Sequence, residues 1–167
     1  ELKDYQAPQV TRVLARDGTV LAEIFTQRRT VVPIATLPPH VKLAVLAAED
    51  AGFYEHQGVN YLGIARAFLV NLRKGGTRQG GSTITQQVVK NLLLNSRERT
   101  ISRKIREALL ARRLEQDLTK DEILELYVNN IYLGRGRYGV EEASRDDFGK
   151  SAKDLTIAEA ALIAGRI

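Results

Sequence analysis

Cysteine, methionine and tryptophan are absent from the 167 residues, and only 4 residues are proline. Without cysteine there is no disulfide, no thiolate metal site, no cysteine nucleophile and no redox clue to compartment. With 4 Pro and 13 Gly the chain is neither collagen-like nor of low complexity. No apolar run approaches the roughly 18 residues a membrane-spanning helix needs. The lack of any methionine, with Glu1 at the start, sets the expectation of a fragment from a longer precursor whose anchoring segment lies elsewhere. What remains is ordinary for a folded chain: 44% hydrophobic and 27% charged residues. That length and composition suffice to bury the core of a single domain, 1–167.

The net charge of +5 is unevenly placed. Between Arg73 and Arg113 eleven basic residues face only Glu98 and Glu107, a local +9 that leaves −4 for the rest. Such a block suits a polyanion, an anionic membrane surface or a phosphorylated ligand, and equally a solvated helix face. Charge alone does not choose among them. A nucleic-acid module fits poorly, since there is neither a base-reading helix nor an aromatic stacking series.

Residues 10–34 read as extended. Val10–Ala15 and Thr19–Phe25 alternate about Asp17-Gly18, a hairpin signal, and Thr30–Ile34 reads as a third short run. From Pro38-Pro39 onward the periods are helical. Val41–Ala48 is nearly all apolar and reads as buried. Asn60 caps a helix to about Lys74, stopped by Gly75-Gly76. Thr83 with Gln86 forms a capping box for a helix to about Leu94. Thr100 opens a long helix with an apolar stripe of Ile101, Ile105, Ala108 and Leu109. Thr119 with Glu122 starts Ile123–Leu133, Tyr138–Phe148 is a short helix, and Thr156 with Glu159 caps Ile157–Ala164. The expectation is mainly α, with a short N-terminal β-hairpin region and about seven helices.

Three segments carry chemistry. In the first, Glu49-Asp50 ends an apolar helix, followed by Phe53, Tyr54 and His56. A carboxyl at the border of core and cleft is where a general acid or base is needed. The same residues also read as a solvated helix end with His56 as structural partner. In the second, Gly80-Gly81 precede Ser82-Thr83-Ile84-Thr85-Gln86-Gln87, with Lys90 further along. Free backbone N–H groups there suit an anion, although P-loop spacing is absent. In the third, Arg99, Arg103, Lys104, Arg106 and Glu107 gather on the first turns of one helix. Lining a cleft, they would suit a pyrophosphate leaving group.

These blocks resemble the peptidoglycan glycosyltransferase domain (glycosyltransferase family 51) of class A penicillin-binding proteins and monofunctional transglycosylases. Five stretches match in order: Glu49-Asp50-x-x-Phe53-Tyr54-x-His56-x-Gly58, Gly80–Gln87, Arg103-Lys104-x-x-Glu107, Lys120-x-x-Ile123-Leu124-x-x-Tyr127-x-Asn129, and Gly134-Arg135-Gly136-x-Tyr138-Gly139-Val140. The chain departs at Ala51-Gly52, where the family usually carries basic residues, and at Asp146-Asp147, where it usually has an aromatic. The first change softens a loop; the second puts charge where an apolar contact is expected.

The resemblance implies a lysozyme-like helical lobe with a smaller membrane-proximal jaw, and polymerisation of lipid II with release of undecaprenyl pyrophosphate. It implies Glu49 as general base and Glu107 as supporting carboxylate. Asp50, Phe53, His56, Ser82, Thr83, Gln86, Gln87, Lys90, Arg99, Arg103 and Lys104 would bind substrate. No cofactor is required; Mg²⁺ or Mn²⁺ assistance is compatible, but no metal-ligand spacing demands it. The implied partners are lipid II, the growing glycan, the outer surface of the cytoplasmic membrane (with 62–72 as a surface-insertion candidate) and a C-terminal transpeptidase domain. A lysozyme-like glycan-cleaving enzyme and a non-catalytic family remnant are the alternatives.

Overall fold

The computed structural model describes residues 11–24, 27–66, 81–94 and 100–167. Among these the protein is mainly α with a small β-hairpin, as the sequence led us to expect. The chain divides into two compact units, one of Glu1–Ala48 with Glu125–Ile167 and one of Glu49–Leu124.

In the first unit, β1 (Thr11–Leu14) pairs antiparallel with β2 (Val20–Ile24), with an irregularity at Val13/Leu14. Asp17 makes the turn: its carboxylate accepts from Thr19 N at 3.0 Å, a bond that lowers its pKa. The third extended run lies earlier than the sequence suggested. Strand β3 is Arg28–Arg29, parallel to β4 (Arg137–Tyr138), and Ile34–Thr36 is a 3₁₀ turn. The reason is a set of long-range acceptors. Asn129 binds Val32 through both its amide atoms, at 2.9 and 2.8 Å, and Glu125 accepts from Ile34 N at 2.7 Å. Side chains thus satisfy backbone groups that would otherwise join a ladder.

Helix α1 is Pro39–Glu49. It is less buried than its composition suggested: Val41, Val45 and Leu46 face inward while Leu43 is exposed. Helix α5 (Lys120–Asn130) stops short of the expected Leu133, with Gly134 at φ +90° in the turn beyond. Helix α6 (Val140–Phe148) follows β4, and α7 (Ile157–Ala164) has the expected capping box between Thr156 and Glu159. The core of this unit gathers Val45, Tyr127, Val128, Leu133, Val140, Leu155 and Ile163. Asp146 and Asp147, the departures from the family pattern, are both ion-paired. Asp146 meets Arg137 at 2.7 Å and Arg135 at 3.5 Å, and Asp147 pairs with Arg166.

The second unit contains a helical stretch α2 over 61–66, α3 (Ile84–Val88) running on as a π-helical turn Val89–Leu94, and α4 (Ile101–Asp117). Its core holds Phe53, Val59, Ile84, Val88, Val89, Ala111, Leu114, Ile123 and Leu124. Here the packing departs from the usual amphipathic pattern. The apolar stripe of α4 does not face inward: Ile101, Ile105 and Leu109 are exposed, and Glu107, Ala111 and Leu114 are buried instead. A helix settles the face that gains most from packing and pairing, and here a carboxylate finds two cations on it. The expected continuation of α2 from residue 67 to Lys74, and the Gly75-Gly76 stop, lie outside the described residues.

Candidate active site

The second unit brings most of the expected site residues to one helix start, that of α3. Thr83 is the N-cap: its hydroxyl accepts from Gln86 N at 3.1 Å, while Gln86 Oε1 accepts from Thr83 N at 2.9 Å. Both side chains are buried. The Thr83 hydroxyl also donates to Gly58 O at 2.6 Å, tying the cap to the loop after His56. That loop presses directly on α4. At Gly58 (φ +73°) an added Cβ would lie 2.7 Å from the Ala111 carbonyl carbon and 2.8 Å from Arg112 N, so only glycine fits.

Asp50 is buried and holds the same loop from its other end. Its Oδ2 accepts from Ile84 N at 3.1 Å and from His56 Nε2 at 2.9 Å. His56 Nδ1 is buried without a partner among the described residues. Phe53 is fully buried, edge-on to Tyr54 and His56, and Lys120 Nζ lies 4.4 Å from its ring centre. Asp50, Phe53 and His56 therefore build the floor of the site.

Glu49 stands beside this floor, half-buried at the end of α1, where its Oε2 accepts from Gln87 Nε2 at 2.6 Å. Its Oε1 has no partner among the described residues. Glu107, by contrast, is 1% exposed and hemmed by cations. Lys104 pairs with its Oε1 and Arg103 lies 3.7 Å from its Oε2. Lys104 also donates to Ser82 Oγ at 2.7 Å, connecting this cluster to the residue preceding the α3 cap. The turn at 82–87 thus touches Glu49 through Gln87, Asp50 through Ile84 and the Lys104–Glu107 pair through Ser82. Lys90 is exposed one turn beyond Gln87. Arg99 lies outside the described residues.

Two connections were not anticipated from the sequence. Glu115 accepts from Thr85 Oγ1 at 2.5 Å and from Lys120 Nζ at 2.8 Å, fastening α3 to α4 and α5. Tyr54 donates to Asp121 at 2.7 Å, and burial together with that carboxylate pushes the phenol up to about 12. The capping-box pattern Thr83-x-x-Gln86 was the only sequence signal near the first of these. Glu115 and Asp121 carry none.

A half-buried carboxylate held against a capped, hydroxyl-rich helix start, with a cationic cluster beside it, suits a group-transfer enzyme acting on an anionic donor. Residues 17–167 match the family model described as Transglycosylase, and the chain belongs to that family. Penicillin-binding protein 1A of Rickettsia bellii is 47% identical over 167 residues, covering 98% of this chain and 21% of the relative. The proteins of the same name from Neisseria flavescens and Neisseria lactamica are 48% identical over 164 residues, covering 98% of this chain and 20% of each relative. The chain thus spans about a fifth of the length of these curated relatives.

Proposed function

We propose that this chain is a peptidoglycan glycosyltransferase that polymerises lipid II by inverting transfer. The observation that carries the reading is the unlike state of the two carboxylates. Glu107 is neutralised by Lys104 and Arg103, whereas Glu49 keeps one oxygen unengaged among the described residues. An inverting displacement on an activated donor needs one base and charge stabilisation at the leaving group. It does not need the second proton-carrying carboxyl of a glycosidase.

Glu49 takes the proton from the acceptor sugar's 4-hydroxyl. The oxygen attacks the donor's anomeric carbon, the anomeric C–O bond to pyrophosphate breaks, and the electron pair leaves with lipid pyrophosphate. Gln87 occupies Oε2 by donating to it and so leaves Oε1 for the acceptor. Lys104 and Arg103, positioned by Glu107, receive the departing charge, with Lys90 and Arg99 as further phosphate ligands and Ser82 as an oxygen ligand. Thr83 and Gln86 act through the cap, since Thr83 Oγ1 and Gln86 Oε1 are engaged in it.

This route needs no cofactor. A divalent ion at Glu107 fits poorly, since both its oxygens face cations, and among the described residues no three His, Asp or Glu side chains gather as a ligand set. The setting proposed is the outer face of the cytoplasmic membrane, in a longer chain that also carries a transpeptidase. Among the described residues no helix is long and apolar enough to cross a membrane.

The test is polymerisation of lipid II by the wild-type and Glu49→Gln proteins. Glycan from the first and none from a folded second is expected. Polymer from Glu49→Gln removes Glu49 as base. Cleavage of purified glycan in place of polymer selects the lysozyme-like alternative, and neither activity in the wild type leaves a non-catalytic member of the family.

A further inference from the structure

Helix α3 is only five residues long, Ile84–Val88. A helix that short does not stand by itself in water, so its orientation is set by what its side chains are tied to. The capping box holds the first turn to itself and fixes no direction. Two ties hold the N-terminal end to the loop 50–58: Thr83 Oγ1 donates to Gly58 O, and Ile84 N donates to Asp50 Oδ2. The next tie along the helix is that of Thr85, which is fully buried and donates from Oγ1 to Glu115 Oε1 at 2.5 Å.

Residues two apart in a helix, as Thr85 and Gln87 are, lie about 200° apart around its axis and so leave it on opposite sides. On one side of α3 Thr85 meets Glu115, and on the other Gln87 Nε2 reaches Glu49 Oε2. The Glu115 end is itself fixed. Its side chain is 7% exposed, and the same Oε1 accepts from Lys120 Nζ at 2.8 Å. Lys120 lies in turn 4.4 Å from the centre of the Phe53 ring, so one ammonium joins the end of α4, the start of α5 and the floor of the site. All of these residues belong to the second unit.

We propose that Thr85 is a positioning residue for the base, with Glu115 and Lys120 as its anchor. The Thr85 hydroxyl stops α3 from rolling about its axis, and that roll is the motion that would carry the Gln87 amide off Oε2 of Glu49. A hydroxyl donating to a carboxylate is short and directional, whereas an apolar side chain in the same space would pack without fixing an angle. Lys120 compensates Glu115, so the carboxylate can lie against a buried hydroxyl without leaving an unpaired charge. Its task is thus separate from that of Lys104 and Arg103 at Glu107. The proposal rests on the reading of Glu49 as base for its effect on rate; the placing of Gln87 by Thr85 does not depend on that reading.

The experiment uses Thr85→Val, which keeps the shape and removes the donor, Thr85→Ser, which restores the donor, and Gln87→Ala, alone and combined with Thr85→Val. In lipid II polymerisation Thr85→Val should lower kcat about tenfold with KM little changed, and Thr85→Ser should return it toward wild type. In the Gln87→Ala background Thr85→Val should cost no more than about a further twofold, because the contact it positions is already gone. Lys120→Met, which keeps a long apolar stem against Phe53 and removes the charge, should follow Thr85→Val in both backgrounds. A readout without activity is the NMR signal of the Gln87 side-chain amide, identified by its loss in Gln87→Ala. It should move in Thr85→Val and stay in place in Thr85→Ser.

A loss that recurs at full size in the Gln87→Ala background overturns the proposal, by making Thr85 a structural residue only. An unchanged kcat in folded Thr85→Val, an unmoved Gln87 amide signal, or no recovery in Thr85→Ser overturns it as well. A folded Lys120→Met with wild-type kcat removes Lys120 from the anchor; if that variant does not fold, the Thr85 and Gln87 variants decide. A wild-type protein that polymerises no lipid II fails the glycosyltransferase reading instead, and the amide signal then decides this proposal by itself.

Discussion

Gln87 donates from Nε2 to Oε2 of Glu49 across 2.6 Å, joining residues 38 positions apart in the chain. The bond links the last residue of α1 to the fourth residue of α3. Its consequence is to fix which oxygen of Glu49 remains open. Gln87→Ala should therefore lower kcat by about 10- to 100-fold with a smaller change in KM, within the range typical for aiding a general base. Steady-state lipid II kinetics with a melting control checks it; an unchanged kcat removes Gln87 from the positioning of the base.

Gly58 holds its loop against the backbone of α4 at a positive φ. Gly58→Ala adds both left-handed strain and a contact of 2.7 Å with backbone that has nowhere to shift. The expected loss is about 2–4 kcal/mol of stability, read from urea unfolding, with the Thr83–Gly58 connection and hence activity lost before global unfolding. Gly136→Ala is the contrast, as nothing lies within 4 Å of its Cβ position; only the cost of its positive φ, about 1 kcal/mol, remains.

Tyr54 titrates at about 12 because burial, first, and then its bond to Asp121 disfavour the phenolate. Asp121→Asn keeps a hydrogen-bond acceptor but removes the negative charge. The phenolate absorbance assigned to Tyr54, by difference from Tyr54→Phe, should move down toward the ordinary value of 10 without reaching it. No movement would mean that burial alone sets the shift.

The carboxylate of Glu159 is held down to about 2 by Lys150, at 2.8 Å, and by the Thr156 cap. A depressed folded-state pKa stabilises above the unfolded value of about 4.5 and ceases to do so as pH falls toward 2. Glu159→Gln retains the capping geometry and loses the ion pair. Its melting temperature should lie below wild type at neutral pH and converge with it between pH 4.5 and 2. A difference that persists below pH 2 would place the effect in the cap.

Helix starts were legible because capping is local. The Thr83–Gln86 and Thr156–Glu159 boxes lie within four residues of chain, and the structure has both. The hairpin about Asp17-Gly18 was legible for the same reason. The ends of elements were less so. Helix α5 stops at Asn130 rather than Leu133, and the third strand sits at Arg28–Arg29, because their competitors are distant: Asn129 and Glu125 claim backbone groups over 90 residues away. At the site, the sequence brought Glu49, Gln87 and Glu107 onto one short roster but could not say which of them would touch. It named Gln87 among the substrate-binding residues, and the structure adds that its amide meets Glu49.

Family, mainly α class and the identity of the residues that carry charge are properties of the sequence by itself, since composition, spacing and ordered motifs exist before folding. Only the tertiary structure decided that Glu107 is turned inward while Ile101, Ile105 and Leu109 face out. Periodicity reports that a helix has two unlike faces, but not which one the core accepts. Here Lys104 and Arg103 compensate the buried carboxylate, and the isoleucines are left to whatever surface the protein meets.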